Sequence, residues 1–121
     1  MKIYLAGKWE ERKRIKDIAD AVRLHGHTIS FPWFEQHSDS TPLQQSSIDD
    51  VCGVRDARVC IFIFEKVLPY NGALSELGMA IAFDKDILLV GHAVDNNIFT
   101  HYPSVQRVEV VEEIIPWLEA L

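Results

Sequence analysis

The chain has 121 residues and a net charge of −6, with 48% hydrophobic and 25% charged residues. This length suffices for one domain with a buried core, and Cys52 and Cys60 are interpreted as small buried side chains rather than as a disulfide or a metal site. The negative charge argues against a nucleic-acid polymer or an anionic membrane as partner. The N-terminal apolar run is too short for a signal peptide or a membrane span, so we expect a cytoplasmic protein.

Apolar patterning predicts strands and helices in alternation. Short runs that are apolar throughout are typical of strands covered on both faces, and helical spacing of apolar residues is typical of helices. In chain order the patterns predict strand 2–6, helix 9–24 closed by Gly26, strand 28–31, a long polar loop 32–45, a helix from Ser46 or Ser47 to about 56, strand 59–64, helix 72–83, strand 87–90, strand 106–110 and a terminal helix with Pro116 in its first turn or at a kink. This alternation predicts a parallel sheet with helices on both faces.

The expected site follows from this architecture. In such sheets, ligands bind outside the carboxyl ends of the strands, where the strand order reverses. Gly7, Lys8 and Trp9 follow the first predicted strand, and the loop after Phe64 follows another. We therefore expect these segments to border a binding site.

Glu76 lies near the start of a helix that is otherwise apolar. One interpretation is a plain helix-start glutamate, which the positive end of the helix dipole favours. The other is an ionised carboxylate, kept nucleophilic by helix amides, that attacks the anomeric carbon of a sugar.

Asp50 and Tyr4 also have two interpretations each. Asp50 is either a helix-start residue beside Asp49 on a solvated face, or an acid that protonates or orients a departing base. Tyr4 is either a core residue of the first strand, or the group whose hydroxyl holds Glu76 in one rotamer.

A basic run follows the first predicted strand. It is typical of the solvated face of a helix, although Lys8 and Arg12 are the cations nearest the expected site and would be needed by a nucleotide phosphate. The run lacks the glycines of a P-loop, and the five histidines show no spacing typical of metal ligands. We predict no metal and no cofactor.

Several stretches together resemble the nucleoside 2-deoxyribosyltransferase family, whose relatives include the 2'-deoxynucleoside 5'-phosphate N-hydrolases. These stretches are residues 3–9, Asp50 with Gly53, and residues 72–80 with Glu76. The resemblance covers almost the whole chain, with the order of the motifs intact. It implies one domain over residues 1–121, with a flavodoxin-like (Rossmann-like) α/β fold of five parallel strands and helices on both faces.

The resemblance also implies roles for individual residues. Glu76 matches the nucleophile that forms a glycosyl-enzyme ester, Asp50 the aspartate that assists the leaving base, and Tyr4 the tyrosine that positions the glutamate. Family members pair so that a neighbouring chain completes each pocket, and Asn97 matches an asparagine lent across that interface. A homodimer or higher homo-oligomer is therefore expected. The other positions expected to bind substrate are Gly7, Lys8, Trp9, Asn71 and Gly72.

The chain departs from both branches of the family. Transferases usually carry an aspartate shortly before the glutamate to bind the sugar 3'-hydroxyl, and Asn71 is the residue available for that hydrogen bond here. The serine and extra glycines of the hydrolases are missing. The first prediction is transfer of a deoxyribosyl group between bases. The alternatives are hydrolysis of a 2'-deoxynucleoside 5'-monophosphate and a non-catalytic nucleotide-binding module.

Overall fold

A computed structural model describes all 121 residues. Its strands are Lys2–Ala6 (β1), Thr28–Ile29 (β2), Val59–Ile63 (β3), Asp86–Val90 (β4) and Val105–Val108 (β5). Its α-helices are Arg12–Leu24 (α1), Trp33–Gln36 (α2), Leu43–Asp56 (α3), Asn71–Ala82 (α4) and Ile114–Glu119 (α5). Short 3₁₀ helices occupy Trp9–Glu11, Ile98–His101 and Val111–Glu113. No helix combines the length and the apolar character that crossing a bilayer requires.

The five strands form one sheet in the order β2-β1-β3-β4-β5, and every neighbouring pair is parallel. This confirms the predicted flavodoxin-like sheet. All residues of β3 are buried, because strands flank it on both sides and helices cover its faces. Its register places Cys60 beside Tyr4 of β1, and Phe62 beside Leu89 of β4.

The strand order reverses at β1. The chain leaves β1 through α1 to reach β2 on one side, and it returns through α3 to β3 on the other side. Because such crossovers are right-handed, α1 lies on one face of the sheet, and α3 and α4 lie on the opposite face. The carboxyl ends of β1 and β3 therefore border a crevice, which is where ligands bind in sheets of this type.

The predicted loop at 32–45 is wrong at both ends. The helix α2 begins at Trp33, because Trp33 and Phe34 are buried and the short helix packs against α1. The helix α3 begins at Leu43 rather than at Ser46 or Ser47, and the residue before it is Pro42 with φ −59°. A proline at a helix start already has a φ near the helical value and has no amide to leave unbonded, so this helix begins without the expected serine cap.

Other local predictions are settled by backbone and burial. Gly26 has φ +88° just after α1, as predicted for a left-handed residue that closes a helix. Pro116 is the third residue of α5, so it lies in the first turn and causes no kink. Cys60 is buried as predicted, whereas Cys52 is only partly buried on α3, so that part of the prediction is wrong.

Gly91 shapes the end of β4. It has φ +90°, and a Cβ atom there would lie 2.5 Å from the carbonyl oxygen of Phe64. Its amide donates to Val108 at 3.0 Å, so the backbone is held on the β5 side as well. Only glycine fits this close approach without moving one of the two segments.

We expect Gly91→Ala to destabilise the protein more than Gly26→Ala. Both sites have positive φ, which costs an L-residue about 1–2 kcal/mol. Only Gly91 adds a clash, since a Cβ at Gly26 meets nothing within 4 Å. Gly91→Ala should therefore cost about 3 to 5 kcal/mol, near the upper limit for single substitutions. Urea denaturation measures both values, and equal losses would contradict the steric argument.

Candidate active site

A hydrogen bond between Tyr4 and Glu76 lies at the carboxyl end of the central strands. The Tyr4 hydroxyl donates to Glu76 Oε2 at 2.5 Å, and the Tyr4 side chain is fully buried. Glu76 is 8% exposed, which is rare for a glutamate without a cationic partner. This hydrogen bond joins the two side chains that the sequence analysis paired, and it ties the carboxyl group to β1.

Both interpretations of Glu76 placed its carboxyl group near the free amides at a helix start, and this placement is wrong. Glu76 is the sixth residue of α4, one turn beyond the free amides at the helix start. Burial instead raises its pKa to about 8, the Tyr4 hydrogen bond opposes this rise, and the negative charge of Asp50 adds to it. Near neutral pH the neutral form of the carboxyl therefore predominates in the unliganded protein, and a positive charge nearby would favour the ionised form.

Asp50 lies in the middle of α3, as its eighth residue, and not at a helix start. It is partly buried, and its Oδ1 has no hydrogen-bond partner despite being inaccessible to solvent. Burial raises the pKa of Asp50 to about 6, His37 lowers it and Asp49 raises it. An unpartnered buried carboxyl oxygen is costly, and a hydrogen-bond donor placed beside it would remove that cost. Of the two interpretations of Asp50, the helix-start residue on a solvated face is therefore wrong.

One cavity of about 350 Å³ brings these groups together. Tyr4, Glu76 and Asp50 all line it, together with Gly7, Trp9 and Gly72. The other lining residues are Trp33, His37, Ser38, Asp39, Thr41, Leu43, Ser46 and Ala73. No lysine or arginine lines this cavity.

Six of the fourteen residues that line the cavity come from the segment 32–45, which the sequence predicted as a long polar loop. Trp33 closes one side, and its indole Nε1 donates to the carbonyl of Leu5 at 2.7 Å. The strand β1 pairs with β2 only at Lys2 and Ile3, so the Leu5 carbonyl has no partner in β2. The Trp33 indole donates the hydrogen bond that a longer β2 would have supplied. His37 bonds Asp49 at 3.1 Å through Nε2 and packs on Phe31. The position of this segment after β2 was the sequence signal that it borders the site.

Lys8 and Asn71 lie in an adjoining cavity of about 220 Å³, which shares Gly7, Trp9, Gly72 and Ala73 with the first. Lys8 is already engaged there: its Nζ donates to Pro69 at 2.8 Å and lies 3.6 Å from Glu10. Arg12 packs over the Trp9 ring at 4.5 Å and lines neither cavity. One cation therefore borders the site, and an acidic side chain accompanies it.

Asn97 lines neither cavity of this chain. It caps the 3₁₀ helix Ile98–His101, where its Oδ1 accepts from the amide of Phe99 at 3.0 Å. Within one chain, the structure does not bring Asn97 to Glu76.

Comparisons with known proteins agree on the fold. No protein-family model matches the sequence, and no curated protein sequence matches it significantly. Solved structures do match. One is a CMP N-glycosidase, BcmB, from Clostridium botulinum, with 18% identity, 100% of both chains covered and a TM-score of 0.69. Another is a 2-deoxyribosyltransferase from Bacillus psychrosaccharolyticus, with 18% identity, 94% of this chain and 90% of that chain covered, and a TM-score of 0.69. The resemblance inferred from the motifs is confirmed at the level of the fold.

We expect Glu76→Gln to stabilise the protein at high pH but not at low pH. The pKa of Glu76 rises from 4.5 to about 8 on folding. The stability that its neutral carboxyl group contributes to the folded state is therefore fully present below pH 4.5 and is lost as pH rises through 8. Relative to the wild type, the glutamine variant should gain about 3 to 5 kcal/mol between pH 4.5 and pH 8.5. Urea denaturation at several pH values measures this gain.

The matched control is Glu119→Gln, which changes an exposed glutamate on α5. This substitution removes a glutamate charge without removing a buried carboxyl group, so it controls for the loss of charge alone. A Glu76→Gln difference that does not change with pH would contradict the raised pKa of Glu76.

Proposed function

We propose that the protein is an enzyme that cleaves the N-glycosidic bond of a 2'-deoxynucleoside and transfers the deoxyribosyl group to another base. The observation that carries this proposal is the cavity shared by a tyrosine-held buried glutamate and an unpartnered aspartate. The fold shared with a CMP N-glycosidase and a 2-deoxyribosyltransferase supports chemistry at the bond between sugar and base.

The first chemical step forms an ester on Glu76. Its carboxylate oxygen attacks C1', the bond from C1' to the base nitrogen breaks, and the electron pair leaves with the base. Asp50, in its protonated form, donates its proton to that nitrogen. Positive charge that develops on the sugar favours the ionised form of Glu76 at the moment of attack. Tyr4 keeps the second carboxyl oxygen in place throughout.

The second step reverses the first with a new base. A nitrogen of the acceptor base attacks C1', the ester bond breaks, and the Glu76 carboxylate reforms. The proton of the acceptor nitrogen passes to Asp50, so the enzyme returns to its starting state. In hydrolysis, water takes the place of the acceptor base.

The charges of the cavity favour a nucleoside over a nucleotide. Its wall contains Glu76, Asp50 and Asp39 and no lysine or arginine, so no lysine or arginine charge would compensate the burial of a phosphate group inside it. The tryptophans Trp9 and Trp33, with ring centroids 6.3 Å apart, provide flat apolar surface for an uncharged ring.

The second candidate is hydrolysis of a 2'-deoxynucleoside 5'-monophosphate. Lys8 in the adjoining cavity supports this candidate. If a phosphate were bound there, the Lys8 ammonium group could leave the Pro69 carbonyl and the Glu10 carboxylate and bind the phosphate, which is a stronger partner. A non-catalytic module is the third candidate. It would bind the ligand without consuming it.

Pairing with a second copy of the chain belongs to the same proposal. Ile98 is 76% exposed and Phe99 is 47% exposed, and both follow Asn97 directly. An interface over these apolar side chains would bury them and carry Asn97 toward the site of the partner.

Chromatography of reaction mixtures tests the proposed chemistry. Each 2'-deoxynucleoside and its 5'-monophosphate is incubated with the protein, with and without a free acceptor base. We expect base exchange that requires the acceptor and a loss of at least about 10³-fold in Glu76→Ala. Acceptor-independent release of sugar phosphate that Lys8→Ala abolishes would establish the hydrolase instead. Ligand binding without any turnover would establish the module.

The pH dependence of kcat/KM tests the roles of the two carboxyl groups. Reaction needs Glu76 ionised, with a pKa of about 8, and Asp50 protonated, with a pKa of about 6. The wild-type profile should therefore be flat between pH 6 and pH 8 and fall on either side.

Asp50→Asn is the diagnostic variant for that profile. Without the proton of Asp50, activity should be lower at neutral pH and should rise with pH until Glu76 is ionised, with no fall above pH 8. A fall at high pH that persists in Asp50→Asn would show that another group donates the proton.

A further inference from the structure

Gly53 is a buried residue of α3, located one helical turn after Asp50. A Cβ atom on Gly53 would lie 2.7 Å from Tyr4 Cε1 and 2.8 Å from Tyr4 Cδ1. It would also lie 2.9 Å from the Cβ of Phe31. The face of α3 at this residue is therefore in direct contact with the tyrosine ring, with no room for a methyl group between them.

None of the neighbouring backbone is free to give way. Tyr4 is fixed in β1 opposite Cys60 of β3. The hydroxyl of Ser30 donates to the carbonyl oxygen of Gly53 at 2.7 Å, which holds α3 against the end of β2. The clash with Phe31 is at its Cβ, which cannot move without its backbone. The Tyr4 ring is therefore the group that a side chain at residue 53 would displace.

Displacement of the ring moves its hydroxyl, because the phenol is rigid. That hydroxyl lies 2.5 Å from Glu76 Oε2. Burial raises the Glu76 pKa, and the hydrogen bond from this hydroxyl is the one interaction that lowers it. We infer that Gly53 is a positioning residue for Glu76: the missing side chain at residue 53 leaves room for the Tyr4 ring, and the hydroxyl of that ring holds the carboxyl group in place. The consequence for rate rests on the proposed function, whereas the consequence for ionisation does not.

The experiment compares Gly53→Ala, Tyr4→Phe and the double variant. Gly53→Ala should lower kcat by about 10- to 100-fold with little change in KM, because a displacement of about 1 Å at a reacting group has that effect. Its Glu76 carboxyl, followed by ¹³C NMR, should titrate at higher pH than in the wild type. Tyr4→Phe should move the titration in the same direction.

The double variant separates positioning from general damage to the fold. With no hydroxyl left to displace, Gly53→Ala in the Tyr4→Phe background should change kcat by less than about twofold. Gly53→Ala should also lower thermal stability, and this loss should persist in the double variant, because the phenylalanine ring at residue 4 meets the alanine Cβ at residue 53 in the same way. Gly78→Ala on α4 is the matched control, because a Cβ there meets nothing within 4 Å. It should leave kcat and the Glu76 titration unchanged.

Two results would overturn the inference: losses in kcat that multiply fully in the double variant, or a Glu76 titration that Gly53→Ala leaves in place. If Gly53→Ala does not fold, Ser30→Ala is the substitute variant. It removes the hydrogen bond from the Ser30 hydroxyl to the carbonyl oxygen of Gly53 and so loosens the contact of α3 with Tyr4. It should shift the Glu76 titration in the same direction by a smaller amount, and an unshifted titration would overturn the inference. If the wild type converts no nucleoside, the proposed function fails, while the NMR titration still decides the role of Gly53.

Discussion

The burial of the Glu76 carboxyl group is the constraint on which the rest of the site depends. Burial favours the neutral carboxyl and raises its pKa to about 8, while the hydrogen bond from Tyr4 acts in the opposite direction. A carboxyl group held this way has a fixed position and a small cost of ionisation when positive charge develops beside it. An exposed glutamate would ionise more easily, but it would sample many rotamers and its oxygens would be solvated.

The parallel sheet supplies the geometry that this constraint needs. Tyr4 comes from β1 and Glu76 from the helix after β3, and these strands are neighbours only because the order reverses at β1. The short β2 leaves the carbonyl of Leu5 available, and Trp33 occupies it. That bond brings the segment after β2 over the crevice. The cavity is therefore closed by a part of the chain that contributes almost nothing to the sheet.

Electrostatics in this cavity differ from those of a phosphate site. Asp50 and Glu76, whose pKa values are both raised, line a cavity that has no lysine or arginine. Lys8 lies in the adjoining cavity, where it donates a hydrogen bond to the carbonyl of Pro69. Burial with little compensation favours neutral ligands and makes the protonation of both carboxyl groups sensitive to pH near neutrality. The same feature links stability to function, since each group that burial keeps neutral weakens folding as pH rises.

The sequence by itself determined the parallel sheet, its helices on both faces, and the candidates Tyr4, Asp50 and Glu76, because apolar runs and motif order are local properties of the chain. Only the tertiary structure decided their environments. One interpretation placed Asp50 at a helix start, and it is wrong because the start of α3 depends on Pro42 and on packing. Glu76 was expected near free helix amides, which lie a turn away from it. The tertiary structure also brings together residues that are distant in sequence. Trp33 and His37 line the same cavity as Glu76, and Gly53 contacts the ring of Tyr4. Burial, and with it the pKa of a carboxyl group, is a property of the assembled fold and of no single segment.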